Sequence, residues 1–224
     1  MSDVFKNPPP ALSNDYVFDI IKKHYDINPS LTPLVSDRDQ NFKITEEGKS
    51  HIFKIANSAE SKSVLEMQNS ALNYISKKDD SIEIPQPVKT IDGHDILSIQ
   101  ITNTKYYARL LTYVEGVFLK DVKPTNGTTF SVGKFLGYLD KGLAGFNHRA
   151  AKRKFIWDVS QVSLLKSNLT KDDFDLITFF INSFKHDISS LINDFPKTII
   201  HNDGNDHNIL LDSWNRVKLS LIHI

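Results

Sequence analysis

The sequence predicts an α+β fold of two lobes, in which a small antiparallel sheet with one inserted helix is followed by a helical lobe. Short apolar runs bounded by turn residues follow one another between residues 40 and 113, which is typical of strands. Apolar residues at helical spacing recur over 132–146 and 176–192. A polar loop, residues 199–212, then lies between two further apolar runs. We therefore expect sheet, helices and loop in that order along the chain.

The polar loop reads I-I-H-N-D-G-N-D-H-N-I-L-L-D, and three of its residues are spaced as in a kinase catalytic loop. His201, Asp203 and Asn208 form the pattern H-x-D-x-x-x-x-N, in which the aspartate accepts the proton of the substrate hydroxyl and the asparagine helps to hold magnesium. The alternative interpretation is that the acidic and amide residues of the loop are ordinary turn formers. With the order of elements, this loop makes the predicted fold protein-kinase-like.

Length and composition exclude several classes of protein. The 224 residues, of which 40% are hydrophobic, can form a real core in one large domain or two small lobes. Lys+Arg and Asp+Glu both number 27, so no net charge attracts nucleic acid or an anionic membrane, and we expect neither partner. Cysteine is absent, which excludes disulfides. Without a signal peptide or an apolar run of about 20 residues, the chain is expected to be cytoplasmic.

Residues 12–113 are predicted to form the N-terminal, nucleotide-binding lobe, preceded by a flexible arm, residues 1–11, that is ordered only if it docks. Ser13 or Asn14 can cap the first helix. Its apolar positions share one face: Val17, Ile20, Ile21 and Tyr25. Residues 31–42 have a polar centre where a kinase has its phosphate-covering loop. Because the glycine-rich pattern is absent, this segment is predicted to be a hydrophilic hairpin end.

A lysine lies inside the apolar strand predicted for residues 51–56. Burying the charge of Lys54 without a partner would be expensive. The next helix carries Glu66 in its first turns, and an ion pair between Lys54 and Glu66 would aim the lysine at nucleotide phosphates, as the corresponding pair does in kinases. The alternative is a solvated lysine and a solvated glutamate.

The sheet is predicted to end at a hinge to the helical lobe. Residues 88–91 and 96–101 are predicted to form a hairpin around Asp92-Gly93, and residues 106–113 a further strand. Apolar sequence then gives way to glycine at 113–116, where backbone groups of a kinase meet the nucleotide base. The predicted hinge residues are Tyr113, Val114 and Glu115. An ordinary strand end is the alternative.

Residues 114–224 are predicted to form a partial C-terminal helical lobe. A long amphipathic helix covers 132–146, and Trp157 is predicted to anchor the core. A second helix opens at the capping-box-like sequence 170–173. Its predicted buried side comprises Leu176, Ile177, Phe180, Ile181, Phe184, Ile188, Leu191 and Ile192.

These residues together resemble the aminoglycoside phosphotransferase family and, in finer features, its hydroxylysine kinase branch. The resemblance covers roughly residues 12–212. The strings that carry it are Asp39-Gln40-Asn41-Phe42, Phe53-Lys54-Ile55-Ala56-Asn57, Glu66-Met67-Gln68-Asn69, Leu139-Asp140-Lys141, Phe155-Ile156-Trp157-Asp158 and Asn205-Asp206-His207-Asn208-Ile209-Leu210.

The resemblance implies transfer of the terminal phosphate of GTP to the hydroxyl of 5-hydroxy-L-lysine, with Mg²⁺, in the cytoplasm. The implied partner is thus a small amino-acid substrate. The implied catalytic residues are Asp203, as the base, and His201, and the implied metal ligand is Asn208. The implied nucleotide-binding residues are Gln40, Asn41, Lys54, Glu66 and the hinge residues Tyr113, Val114 and Glu115.

The sequence departs from the family pattern at two places. Asn202 replaces the glycine usual between the histidine and the aspartate, but asparagine tolerates left-handed backbone angles. After Asp212 the sequence contains no further Asp or Glu to serve as the second metal-binding acid, and His223 is a poor ligand for magnesium. We therefore expect an incomplete large lobe in a C-terminally truncated, catalytically impaired form. The alternatives are a kinase-like binding module and a nonfunctional fragment.

Overall fold

The computed structural model of the chain describes residues 7–153, 158–168, 171–192 and 194–220. Its helices are α1 (Asn14–Tyr25), α2 (Lys62–Lys78), α3 (Asn126–Leu143) and α4 (Lys171–Ser183). Its strands are β1 (Ser30–Leu34), β2 (Gln40–Glu46), β3 (Lys49–Ile55), β4 (Pro87–Val88), β5 (Leu97–Ile101), β6 (Thr104–Thr112), β7 (Val117–Phe118), β8 (Ile209–Leu211) and β9 (Val217–Leu219). The α+β fold that the sequence predicts is confirmed.

The first sheet is antiparallel, with the order β1-β2-β3-β6-β4. Its register places Asn41 of β2 opposite Lys54 of β3, and Lys54 opposite Arg109 of β6. Side chains directly opposite one another in an antiparallel pair point to the same face of the sheet. Three polar side chains, all buried, therefore form one row across the three central strands.

The hairpin predicted around Asp92-Gly93 is wrong in its pairing. Strand β4 pairs with β6 through Val88 and Leu110, and β5 pairs with the same strand through Leu97 and Ala108. Strands β4 and β5 thus follow one another along one edge of β6, and residues 89–96 form a loop between them. Gly93 does adopt the left-handed backbone of a turn, with φ of 82°.

The two faces of the first sheet are covered by different helices. Helix α1 packs on one face with its predicted apolar stripe, and the Ser13 side chain caps the helix by accepting a hydrogen bond from the N–H of Tyr16 at 3.3 Å. Helices α2 and α3 belong to a second core, together with Leu111 of β6, Ile209 of β8 and Leu219 of β9. Complete burial of such side chains stabilises the fold by about 1.5–3 kcal/mol each.

A second, three-stranded sheet has the order β7-β8-β9 and carries the polar loop. Strand β8 pairs with β7 on one side, through Leu211 and Val117, and with β9 on the other, through Ile209 and Leu219. The apolar run Ile199-Ile200, predicted as a strand, forms none. Ile199 instead packs against the second core and Ile200 is exposed, so the loop is anchored by β8 and its two neighbours.

The chain forms two compact units. One comprises residues 152–198, and the larger one comprises residues 2–151 and 199–224. In the smaller unit, α4 packs against the 3₁₀ segment Val159–Asn168 and the π-helical segment Phe184–Ile188. The prediction that one side of α4 is buried is wrong for most of its residues, because these short segments cover little of the helix. Ile181 is buried, but Leu176 and Phe180 are 62% and 60% exposed.

The predicted arm is docked in its described part, because the Asn57 side chain donates hydrogen bonds to the carbonyls of Asn7 and Pro8 at 3.1 and 3.3 Å. Residues 1–6, Trp157 and the last four residues, including His223, lie outside the described part of the chain. The predicted lobe boundaries, 12–113 and 114–224, differ from those of the compact units and stay a prediction. No described helix has the length and apolarity needed to cross a membrane.

Candidate active site

A left-handed residue turns the polar loop just before its aspartate. Asn202 has φ of 60°, the angle for which asparagine was expected to substitute for glycine, and that expectation is confirmed. The turn lets the backbone N–H of Asp203 donate a hydrogen bond to Nδ1 of His201 at 3.3 Å. His201 itself is buried. The histidine therefore supports the backbone that presents Asp203, rather than standing at the surface of the loop.

Two neutral amides hold the carboxylate of Asp203. Nδ2 of Asn205 donates to Oδ1 at 2.7 Å, and Nδ2 of Asn208 donates to Oδ2 at 2.8 Å and to the Asp203 carbonyl at 2.9 Å. The asparagines thus fix the direction of both carboxylate oxygens without adding a positive charge beside them. A carboxylate oriented in this way is suited to receive the proton of a substrate hydroxyl. Asn205 was missed as a site residue, although its amide lies in the polar string.

Asn208 joins the loop to Ser220, the residue that follows β9. Its carbonyl accepts hydrogen bonds from the N–H of Ser220, at 2.9 Å, and from the Ser220 hydroxyl, at 3.1 Å. Its Nδ2 is directed at Asp203, so its Oδ1 is the atom suited to a metal ion. Amide and carboxylate oxygens are hard donors that fit Mg²⁺. Within the described ranges, no group of three or more His, Asp or Glu side chains could hold a metal.

The buried lysine of β3 is paired with Asp39, not with Glu66. Nζ of Lys54 lies 3.6 Å from a carboxylate oxygen of Asp39, and the Lys54 side chain is 6% exposed. Glu66 instead pairs with Lys62, one turn earlier on α2, at 3.4 Å. The predicted ion pair between Lys54 and Glu66 is wrong because Glu66 lies off the buried face of α2. That face presents Gln68 to the sheet instead.

Helix α2 is attached to the polar row of the sheet through Arg109. One terminal nitrogen of its guanidinium donates to Oδ1 of Asn69 at 2.8 Å, and the other donates to Oε1 of Gln68. Arg109 is 3% exposed, and its Nε has no hydrogen-bond partner among the described residues. Sequence reasoning missed Arg109, Gln68 and Asn69 as a set. The only signal was that Gln68 and Asn69 belong to a family-like string.

Burial shapes the electrostatics of this row. Burial lowers the pKa of Lys54 from 10.5 to about 8, against the opposing effect of Asp39 and with a further lowering by Arg109. Burial would raise the pKa of Asp39, but Lys54, the N–H of Asn57, Arg38 and Arg109 together hold it below its ordinary value. Burial likewise lowers the pKa of Arg109 to about 10. Asp39 and Arg109 are thus charged at neutral pH, and Lys54 gives up its proton just above it.

Strand β2 carries two of the predicted nucleotide-binding residues, Gln40 and Asn41, and their surroundings differ. The side-chain amide of Gln40 is engaged by the backbone of Leu12, accepting from its N–H at 2.9 Å and donating to its carbonyl at 2.8 Å. The Gln40 amide thus holds the segment before α1, and its role in cofactor binding stays a prediction. Asn41 is buried beside Lys54 in the register, and its Oδ1 has no partner within the described residues.

The predicted hinge joins the first sheet to the sheet that carries the loop. Tyr113 lies under Lys43, whose Nζ is 3.9 Å from the ring centroid, and Glu115 is 4.0 Å from the same Lys43. At Gly116 an added Cβ would come within 3.0 Å of both the Leu210 Cβ and the Leu211 carbonyl oxygen. The segment is thus in close contact with β8 at Gly116. Residues 113–116 therefore connect the first sheet, which contains Lys54, directly to β8, the strand that follows the loop.

The sequence of the chain is similar to those of known phosphotransferases. The model of the phosphotransferase enzyme family (APH) matches residues 30–219, which include both sheets and the loop. Hydroxylysine kinase from Danio rerio is 29% identical, and the match covers 96% of this chain and 65% of the relative. Hydroxylysine kinase from Xenopus laevis is 32% identical, with 92% of this chain and 60% of the relative covered. The chain thus spans less than two thirds of these relatives.

Solved structures share the fold at lower sequence identity. An amicoumacin kinase, in complex with AMP-PNP and Ca²⁺, superposes with a TM-score of 0.72 at 17% identity, covering 93% of this chain and 63% of that one. A microcompartment-associated aminopropanol kinase superposes with a TM-score of 0.70 at 15% identity, covering 92% and 68%. The kinase-like two-lobed fold predicted from the sequence is confirmed by these neighbours.

Proposed function

Because this chain belongs to the phosphotransferase enzyme family, we propose that it is a small-molecule kinase that transfers the terminal phosphate of GTP to the hydroxyl of 5-hydroxy-L-lysine. The observation that carries the proposal is the orientation of the Asp203 carboxylate by Asn205 and Asn208. The names of the relatives support the choice of acceptor. The proposed cellular location is the cytoplasm, and no membrane or nucleic-acid partner is proposed.

In the proposed reaction Asp203 acts as the base. Its carboxylate accepts the proton of the acceptor hydroxyl while the hydroxyl oxygen bonds to the terminal phosphorus. The bond from that phosphorus to the bridging oxygen breaks, and the nucleoside diphosphate leaves with the bonding electrons. His201 contributes indirectly, because its Nδ1 accepts the N–H of Asp203 and fixes the turn that presents the carboxylate. Positioning of this kind supplies most of the catalysis in phosphoryl transfer.

Magnesium would be held at the same loop. Oδ1 of Asn208 and the Asp203 carboxylate are the oxygen donors that fit it, and the ion, when bound, neutralises charge on the phosphates. Lys54 is proposed to contact the phosphates as a positive charge, with the buried amide of Asn41 beside it in the register. The backbone of Tyr113, Val114 and Glu115 is proposed to meet the nucleotide base.

A panel of donors and acceptors tests the substrate assignment. The chain is incubated with Mg²⁺ and either GTP or ATP, and with 5-hydroxy-L-lysine, L-lysine, ethanolamine or an aminoglycoside. L-lysine is the matched control, since it differs from the proposed acceptor only in lacking the hydroxyl. We expect a phosphorylated product, detected by mass spectrometry, from 5-hydroxy-L-lysine with GTP and none from L-lysine. A product from an aminoglycoside alone would reject the amino-acid acceptor and keep the kinase.

A binding module without catalysis is the second candidate, and one observation favours it. Among the described residues, the structure shows no group of three or more acidic or histidine side chains that could hold a metal ion. Magnesium-dependent phosphoryl transfer normally uses a second acidic ligand. Nucleotide binding that is the same with and without Mg²⁺, with no product in the panel, would establish this alternative.

A further inference from the structure

We propose that Asp39 is the positioning residue of Lys54, so that the lysine which meets the phosphates is held by the segment between β1 and β2 rather than by a glutamate on α2. The phosphate part of this proposal rests on the proposed function, whereas the pairing itself does not. Asp39 has no assigned role, and it ends the polar segment in which a kinase has its phosphate-covering loop.

Asp39 is itself fixed at both its side chain and its backbone. Its Oδ1 accepts the N–H of Asn57 at 3.2 Å, and its own N–H donates to the hydroxyl of Ser36 at 3.2 Å. The other carboxylate oxygen, Oδ2, is the one 3.6 Å from Nζ of Lys54. The Asp39 side chain is 21% exposed, so the pair lies at the edge of the buried row and not in open solvent. A carboxylate held by its neighbours can set the position of a flexible lysine.

Helix α2 does not supply an acidic partner to this row. Glu66 is 39% exposed at its side chain and lies beside Lys62, and the residues that α2 offers to the sheet are the neutral amides of Gln68 and Asn69. The pair between strand and helix in kinases both anchors the helix and holds the lysine. Here Arg109 anchors the helix and Asp39 holds the lysine.

The charges around Lys54 leave room for an anion. The groups that face it are Asp39 and Arg38 from the β1–β2 segment, Arg109 from β6, and neutral amides from β2 and α2, while Glu60 acts on Arg109. Among the described residues, Asp39 is the carboxylate that acts on Lys54, and Asp39 and Glu60 act on Arg109, while Arg38 adds a third positive charge near the lysine. Burying such an excess of positive charge is costly, and a bound phosphate would offset it.

Titration of Lys54 tests the pairing without any substrate. The NMR signal of the Lys54 Nζ group is followed in protein that carries isotope-labelled lysine. It is assigned as the signal that disappears in Lys54→Arg. Asp39→Asn keeps the acceptor for Asn57 but removes the negative charge. Because a nearby anion favours the charged amine, this change should lower the pKa of Lys54 further, by at least one unit. Asp37→Asn, the matched loss of charge at an exposed site in the same segment, should leave it unchanged.

Glu66→Gln decides between the two possible partners, and it does so even if Asp39→Asn fails to fold. We expect Glu66→Gln to leave the pKa of Lys54 unchanged. A fall in the pKa of Lys54 in Glu66→Gln, or none in folded Asp39→Asn, would overturn the proposal. Asp39→Glu, which keeps the charge, should titrate closer to the unchanged chain than Asp39→Asn does.

A nucleotide titration then tests the positioning role. With a fluorescent GTP analogue and Mg²⁺, Asp39→Asn should raise Kd about tenfold and Asp39→Glu should recover part of the loss, whereas Asp37→Asn should raise it less than twofold. Equal Kd values for Asp39→Asn and the unchanged chain would contradict the role. An unchanged chain that binds no nucleotide would reject the proposed function, and the Lys54 titration would still decide the pairing.

Discussion

Asp203 and Lys54, the two charged side chains on which the site depends, are held by different kinds of neighbour. The carboxylate of Asp203 is oriented by neutral amides, and the ammonium of Lys54 by a carboxylate inside a buried row. The charge of Lys54 depends on pH near neutrality, because burial lowers its pKa to about 8. The protonation state of Lys54 should therefore make nucleotide binding depend on pH.

Nucleotide affinity should fall as pH rises through about 8. A lysine that binds phosphate is required in its charged form, and burial lowers the pKa of Lys54 to about 8. Above that pH, binding must first return the proton, so Kd rises by about tenfold per pH unit until the pKa of the complex is reached. Fluorescent GTP titrations from pH 6.5 to 9.5 measure this. Lys54→Arg is the control, and its Kd should change little over the range.

A Kd that is flat across the range in the unchanged chain would contradict both the lowered pKa and the phosphate contact of Lys54. A loss of affinity with rising pH that persists in Lys54→Arg would assign the pH dependence to another group.

The catalytic loop depends on the left-handed backbone of Asn202. A β-branched side chain at φ of 60° is strained, whereas glycine is not. We expect Asn202→Val to lower the free energy of unfolding by about 1–2 kcal/mol and Asn202→Gly to change it by less than about 0.5 kcal/mol. Urea unfolding followed by circular dichroism measures both. Equal stabilities for the two variants would show that the loop does not need this turn.

Local elements were predictable where one segment carries its own signal. The stripe and cap of α1 and the H-x-D-x-x-x-x-N loop all follow from residues close in the chain. Hydrophobic periodicity shows which face of an element is buried, but not what covers it. For that reason the pairing of β4 and β5 with β6, and the exposure of α4, were not predictable.

The partner of Lys54 could not be deduced from sequence for a related physical reason. The alignment of Asp39 with Lys54 depends on the register of β2 against β3, and the exclusion of Glu66 depends on the rotation of α2. A rotation of one residue on a helix moves a side chain by about 100°. Sequence therefore located the lysine and the helix, while the structure was needed to decide which carboxylate reaches the lysine.

At the scale of the larger unit, one sheet is shared by two cores. Phe53 belongs to the core under α1 and Leu72 to the core under α2 and α3, on opposite faces. Both side chains are fully buried. Because each core depends on the same strands, we expect the larger unit to unfold in one transition.

Single truncations on either face test that cooperativity. Leu72→Ala should cost about 2–5 kcal/mol and Phe53→Ala about 3–5 kcal/mol. Each should shift the same urea transition of the larger unit, seen by circular dichroism and by hydrogen exchange of amides in β3 and β6. Tyr138→Ala, at a half-exposed position of α3, serves as the surface control. Separate transitions for the two faces would show that the cores are independent.

The most direct measurement is phosphate transfer from GTP to 5-hydroxy-L-lysine, with Mg²⁺, by the unchanged chain beside Asp203→Asn. Removing the base should lower the rate by on the order of 100-fold or more. The variant must remain folded by circular dichroism, since an amide at 203 faces the amides of Asn205 and Asn208. Transfer that is lost in Asp203→Asn is the result we predict. Transfer at an equal rate in both proteins, or none from the folded, unchanged chain, would contradict the role assigned to the loop.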